Sequence, residues 1–282
     1  MAKAGSNAGK AASPIDRFLD AKIVAAGITP SAPADKATLL RRATYVLTGL
    51  PPSPLEIATF ETDTSADAFA KVVDRLLASP RYGEHFARHW MDLVRYADTH
   101  GSEGDPVIPQ AWRYRDYLIR AFNDNVPYDQ FVAEHVAGDL RPPRLDPATG
   151  ANESVVATGW AFLGEENHSP VDIRQDECER LDNKVDVFSK AFLALTVSCA
   201  RCHDHKFDAI TQNDYYALAG FVVSSSFRQA RFETMEAEAR VAKEWVEVRE
   251  RGAGQLTAAL AAVVRPGVGQ VAAHLMAARR VL

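Results

Sequence analysis

The feature that most constrains this chain is a succession of helix start and stop signals that leaves little room for strands. Ser13-Pro14 forms an N-cap with proline at the first helical position, and Ile15, Phe18, Leu19 and Ile23 recur at helical spacing before Gly27. A second helix is predicted from Asp35 to Leu47, stopped by Gly49 and the Pro51-Pro52 turn. Ser53-Pro54-Leu55-Glu56 reads as a capping box opening a third. Phe69, Val72, Val73, Leu76 and Leu77 give a fourth, which ends before Pro80. The next helix, Arg81 to Ala97, carries His85, His89, Asp92 and Tyr96 at spacings that place them on one side. Trp112, Tyr117, Leu118 and Phe122 mark a sixth, and Pro127 to Val136 a shorter one closed by Gly138. The proline-rich run Leu140 to Thr149 is the best internal boundary, and it reads as a surface loop rather than a domain linker.

The apolar positions Ile173, Leu181, Val185, Phe188, Phe192 and Leu195 predict one long amphipathic helix from Ile173 to Val197, which delivers the chain directly to Cys199. Thr211, with Asp214 three residues on, caps another helix. Beyond Phe232 the chain turns Ala-, Glu- and Arg-rich, breaks at Gly252 and is interrupted again at Pro266-Gly267, so this tail is expected to be peripheral. The expected organisation is a disordered segment 1–13, a helical domain 14–228, and a helical or partly disordered tail 229–282.

Charge and hydropathy remove several function classes. A net charge of −5 without a basic stripe argues against a nucleic-acid partner. No apolar run approaches the roughly 20 residues that span a bilayer, so no transmembrane segment is expected. The first residues lack an apolar core of the kind found in secretory signals.

Three cysteines do not make a disulfide framework. Cys178 reads as a small buried residue on a helix. Cys199-Ala-Arg-Cys202-His203 is different, because two thiols separated by two residues match the two vinyl groups of haem, and the adjacent imidazole reaches the iron. The expectation is covalent haem c, with Cys199 and Cys202 as thioethers and His203 as the proximal ligand. His205, too close in sequence to reach the opposite face, hydrogen-bonds a propionate or fixes the loop. His89 is the first candidate for the distal iron ligand, with His168 and Met91 as alternatives. The fold expected is therefore mainly α, an irregular multi-helix domain with a c-type haem attachment loop after a long helix.

The rival chemistry is zinc at Cys199, Cys202 and His205, completed by a distant histidine such as His89, which would make a metal-stabilised interaction domain. A third reading is a hydrolase or polymer-processing domain using carboxylates among Asp92, Asp98, Glu165, Glu166, Asp172, Asp176 and Asp186, although capping and solvated roles suit these acids as well. Arg113 and Arg115, beside Trp112 and Tyr114, are expected to form ion pairs on a helix surface, with propionate binding as the alternative.

The stretch from Val197 through Cys199, Cys202, His203-Asp-His-Lys-Phe-Asp208, with Ile210-Thr-Gln and Asp214-Tyr-Tyr after it, resembles the signature of the planctomycete cytochrome c-like family, domain of unknown function 1549. Leu47-Thr-Gly-Leu-Pro-Pro52, Leu76-Leu-Ala-Ser-Pro-Arg-Tyr-Gly83, His89-Trp-Met-Asp-Leu-Val-Arg-Tyr-Ala-Asp-Thr99, Trp112-Arg-Tyr-Arg-Asp116 and Ala137-Gly-Asp-Leu140 match in the expected order, over about Pro14 to Arg228. The resemblance implies haem binding and redox service outside the cytoplasm, periplasmic or otherwise exported, within larger chains. Its partner would be a redox protein or a neighbouring domain, and no substrate follows. Ala209 stands where the family usually has proline, the alanine-rich tail does not resemble the usual following domain, and no signal precedes the matched region, so a fragment or truncated reading frame is expected.

Overall fold

The computed structural model describes residues 13–102, 104–167, 169–230 and 236–281. Among these there are eleven α-helices and no strand; the only β-type pairings are the isolated bridges Thr99–Val107 and Leu145–Asn152. The protein is mainly helical, and the helix starts fall where the side chains supply caps. Ser13, Ser53 and Thr211 each close a capping box with the acidic residue three positions on.

The chain divides into two compact units, 1–79 and 80–282. In the first, α1 (Pro14–Ala25) buries none of its residues, so its apolar positions Ile15 and Phe18 face outward. The core of this unit comes from α2 (Lys36–Thr48), α3 (Pro54–Thr62) and α4 (Ala68–Leu77), which bury Leu40, Phe60, Ala68, Val72 and Leu76 together. Gly49 ends α2 in the left-handed conformation that glycine adopts without strain. Lys36 donates to the carbonyls of Phe60, Glu61 and Asp63, so a cation satisfies the otherwise open C-terminal end of α3.

In the second unit α5 (Pro80–Leu93) packs closely on α6 (Ala111–Asn123). Gly83 permits that approach, because a Cβ there would collide with the Ile119 carbonyl. A core of Trp90, Tyr114, Tyr117, Leu118, Phe131 and Trp160 gathers α5, α6, α7 (Tyr128–Ala137) and the turns after α8 (Glu153–Ala157). The proline-rich run is part of this fold, not a boundary. Arg144 donates to Glu134, and Glu153 donates its backbone N–H to the Arg144 carbonyl, so the loop is stapled onto α7.

The predicted single helix from Ile173 to Val197 is shorter and broken. α9 ends at Phe188 and gives way to a π turn, Ser189–Leu193. Ala194 then takes a left-handed φ of 55°, and a 3₁₀ turn follows over Val197–Arg201. The Ser189 hydroxyl donates back to the Asp186 carbonyl, a local bond of the kind that loosens a helix end. Reversing the chain at Ala194 lets Val197 and Ala200 join Val185 in a second small core with Tyr215 and Ala219 of α10 (Gln212–Ser224). A continuous helix would have carried them away from it.

The tail is helical rather than broken. α11 (Glu236–Val281) continues through Pro266 despite the lost N–H, and its described side chains are almost all exposed. By length and composition, its stretch 239–279 is apolar enough to cross a membrane. The sequence expectation rested on continuous apolar runs, which alanines and glycines interrupted by a few charges do not form; average hydropathy over a helix is a different measure.

Candidate functional site

The cysteine loop is built on a single 3₁₀ turn, in which residues three apart eclipse one another. Val197 and Ala200, one such pair, are buried and anchor the turn. Cys199 and Cys202, the other pair, are free and exposed. One pair of positions therefore holds the loop down while two exposed thiols lie off that buried side.

Helix α9 braces this loop through two carboxylates. Asp186 accepts from Ser198 at 2.6 Å and from Lys190 at 2.7 Å. Asp182 accepts from the Tyr215 hydroxyl at 2.7 Å and pairs with Arg201 at 3.2 Å. Burial, then the hydrogen bond to Asp182, pushes the Tyr215 phenol well above its ordinary range. From the other side the Asp204 carboxylate accepts the Gln212 N–H at 2.8 Å, tying the loop to the start of α10.

The two histidines of the loop are treated differently. His203 is exposed, and its Nδ1 lies 2.7 Å from the Asp204 carbonyl. A carbonyl only accepts, so the proton sits on Nδ1 and the Nε2 lone pair is left available. The side chain of His205 is only 6% exposed, and both of its nitrogens are engaged. Its Nδ1 accepts the N–H groups of Phe207 and Asp208 at 3.3 and 2.9 Å, which places the proton on Nε2, 2.9 Å from the Thr196 hydroxyl. The Asp208 carboxylate 3.4 Å from Nδ1 is therefore a neighbour and not an ion-pair partner. His205 fixes the loop; it has no free nitrogen.

The loop carries the residue types that a covalently held haem would use. Two thiols are exposed, an adjacent imidazole has its Nε2 lone pair open, and His205 holds the loop. Leu193, Phe207 and Tyr216, all well exposed, add apolar surface on and beside the loop against which a macrocycle can lie. His89 and Met91 are on α5, where His89 is exposed and stacks edge-on against His85 at 4.9 Å, so it is not the buried hydrogen-bonder that a core histidine would be. His168 lies outside the described residues. Among the described residues no three His, Cys, Asp or Glu side chains are gathered to hold a metal ion.

Other predicted positions resolve into structural tasks. Cys178, expected to be buried, is exposed on α9, whose buried positions are Val185 and Val187. Asp172 caps α9 by accepting from Gln175, Asp176 pairs with Arg180 at 3.0 Å, and Asp98 accepts from Tyr96 at 2.8 Å. Arg115 pairs with Asp116 at 2.9 Å, whereas Arg113 lies over the Trp112 ring at 4.5 Å and donates to Gln110. Asp92 is exposed, and Glu165 lines a small cavity with Glu166.

Sequence reasoning missed a buried polar network. Trp90 donates to the Tyr114 hydroxyl at 3.2 Å, Tyr114 donates to His135 Nε2 at 2.9 Å, and His135 Nδ1 donates to the Phe131 carbonyl at 2.7 Å. Burial lowers the His135 pKa to about 4. Beside it, Arg144 clamps Glu134 with two bonds of 2.7 and 2.9 Å, and Tyr117 donates to the same carboxylate at 3.0 Å. Arg120 clamps Glu153 in the same two-bond fashion. Burial alone would raise both carboxyls; hydrogen bonds from Arg144 and Gln130 hold Glu134 low, while Glu153 is raised. No local pattern announces these pairs, because the partners lie 10 and 33 residues apart in sequence.

The family model described as a protein of unknown function, DUF1549 (PSCyt2), matches residues 14–227. No curated protein and no solved structure matches the chain.

Proposed function

The chain belongs to the DUF1549 family of proteins of unknown function, and from that premise we propose that it is a covalent c-type haem-binding domain serving electron transfer or another redox role in an exported protein. The observation that carries this reading is the state of His203: its Nδ1 proton is spent on the Asp204 carbonyl, which leaves Nε2 open beside two exposed thiols. Cys199 and Cys202 would hold the thioether bonds and His203 the proximal iron position. His205 would keep the loop closed, and His89 remains the first candidate for the distal position. When bound, haem supplies reversible one-electron chemistry at its iron. Cys199, Cys202 and His203, all exposed, would hold the group where a redox partner protein or a neighbouring domain of a larger chain can approach. Attachment of this kind places the working protein outside the cytoplasm, in the periplasm or beyond.

Zinc is less well supported, because Cys199 and Cys202 would need His205, whose nitrogens are occupied by Thr196, Phe207 and Asp208. A hydrolase using the acidic loop would draw on Glu166, which is already paired with Arg180 at 2.6 Å. Export to the periplasm with a cytochrome c maturation system tests the reading. We expect a haem-stained band that survives denaturation, lost in the Cys199→Ala and Cys202→Ala variants. In His203→Ala the haem stays attached and its spectrum changes. Stoichiometric zinc with no covalent haem would overturn it.

A further inference from the structure

Three arginines of the second unit turn the same edge of the guanidinium inward, and only two of them meet a carboxylate there. Arg120 presents Nε and Nη2 to Glu153, and Arg144 presents Nε and Nη2 to Glu134. This side-on edge is the one that grips both oxygens of an oxyanion. Arg95 has the same two atoms, Nε and Nη2, buried with no hydrogen-bond partner. Its backbone is left-handed, with φ of 58°, an unfavourable conformation for a residue with a Cβ. Gly164 lies against the third nitrogen so closely that a Cβ there would collide with Nη1. The guanidinium is thus held in place by its surroundings, while the edge that usually binds is unmatched.

Arg95 lines a cavity of about 140 Å³ together with His100, Glu166, Arg180 and Lys184. Arg180 is neutralised, by Glu166 at 2.6 Å and Asp176 at 3.0 Å. His100 donates its Nδ1 proton to the Gly164 carbonyl at 3.0 Å, and its Nε2 lies 3.7 Å from Glu166. Lys184 has no carboxylate within salt-bridge distance among the described residues and lies over the Phe227 ring at 4.3 Å. Two cations therefore line a small cavity with no carboxylate at hydrogen-bond distance from either; Asp186 and Glu166 act on them only from farther away. Leaving buried charge uncompensated is costly, so such a site is poised for an anion from outside. Burial, followed by the neighbouring Arg180 and Arg95, depresses the Lys184 amine, as expected of a cation crowded by cations. The volume is roughly that of four or five waters, room for one oxyanion group and too little for a nucleotide or a drug-sized ligand.

We infer that the cavity at Arg95 and Lys184 is a binding site for a single oxyanion group, the carboxylate or phosphate of a small ligand, neutralised by both cations. Glu165, on the rim, is the internal rival for that position. None of its lining residues belongs to the cysteine loop, so it can be tested whether or not haem is attached.

The test uses the full chain, titrated with inorganic phosphate and with acetate against sodium chloride of equal ionic strength, following the thermal midpoint and the Arg95 Nε–H resonance. We expect a saturable rise in midpoint and a shift of that resonance with at least one of the two anions. A response to acetate alone assigns a carboxylate ligand, and a response to phosphate alone assigns a phosphoryl one. Arg95→Met should weaken the response at least 10-fold, as loss of a charge-assisted hydrogen bond does, and Lys184→Met about 5-fold. Arg174→Met, whose side chain is 92% exposed, should leave it unchanged. Glu165→Gln should bind the anion as tightly as the unaltered chain or more tightly. If Arg95→Met does not fold, Lys184→Met and the resonance in the unaltered protein decide the matter. The inference is overturned if neither anion raises the midpoint saturably beyond chloride, or if Arg95→Met or Lys184→Met responds as the unaltered chain does.

Discussion

The polar network around Glu134 and His135 and the loop around Cys199 and His203 are built from similar groups to opposite ends. In the network every proton has a destination: Trp90 to Tyr114, Tyr114 to His135, His135 to the Phe131 carbonyl, Tyr117 and Arg144 to Glu134. Its members are buried, and burial holds His135 neutral. In the loop one histidine, His205, is closed off in the same way, while the other, His203, keeps a nitrogen open and lies exposed beside two free thiols. A satisfied polar group stabilises a fold and is unavailable for chemistry. Reactivity has to be looked for where satisfaction is incomplete.

That contrast can be broken most forcefully at Arg144. Arg144→Met leaves Glu134, 1% exposed, without its cation, and should cost about 3–5 kcal/mol in urea unfolding. The next effect is on pH. His135 titrates at about 4 in the folded protein and near 6.5 when unfolded, so the unfolded chain takes up the proton first. Stability should therefore be at its plateau above about pH 6.5 and fall by about 3 kcal/mol as pH drops to about 4. Unfolding free energies measured across that window, with an NMR titration of the imidazole, check the sign; a flat profile would separate His135 from the network.

Within the loop, His205→Ala removes the acceptor of two backbone N–H groups and the partner of Thr196, and should cost about 1–3 kcal/mol. His203→Ala should stay within about 0.5 kcal/mol of the parent in the haem-free protein, because the side chain is exposed. Equal losses at the two positions would erase the distinction between them. The smallest effect belongs to the tail. Deleting 236–282 removes a helix whose described side chains are almost all exposed, and should move the unfolding midpoint of the remainder by no more than about 0.5 kcal/mol in free energy.

Much of the helical framework was legible because its signals are local. A serine or threonine with an acid three residues on needs only its own neighbours to cap a helix, and Ser13, Ser53 and Thr211 do so as their spacing predicts. The cysteine pair was legible for the same reason. A partner for it was not, since His89 was selected by periodicity along α5, and periodicity cannot say which surface that face will meet. Cys178 was misread as buried because α9 carries so many polar residues that its inward positions are decided by what packs on it. The break at Ala194 escaped for a related reason: the apolar pattern continues through it, and only the need to bury Val197 and Ala200 under α10 reverses the chain.

By itself, then, the sequence determined the helices, their caps and the spacing of two thiols and an imidazole, because each depends on residues within a turn or two of one another. The tertiary structure decided which histidine keeps a free nitrogen, which arginines find a carboxylate and which one, Arg95, does not. The histidine outcome depends on how the loop folds back on itself, and the arginine outcomes on partners 10 and 33 residues away; for the arginines burial makes the difference matter, because there an unmatched charge costs enough to dictate what binds.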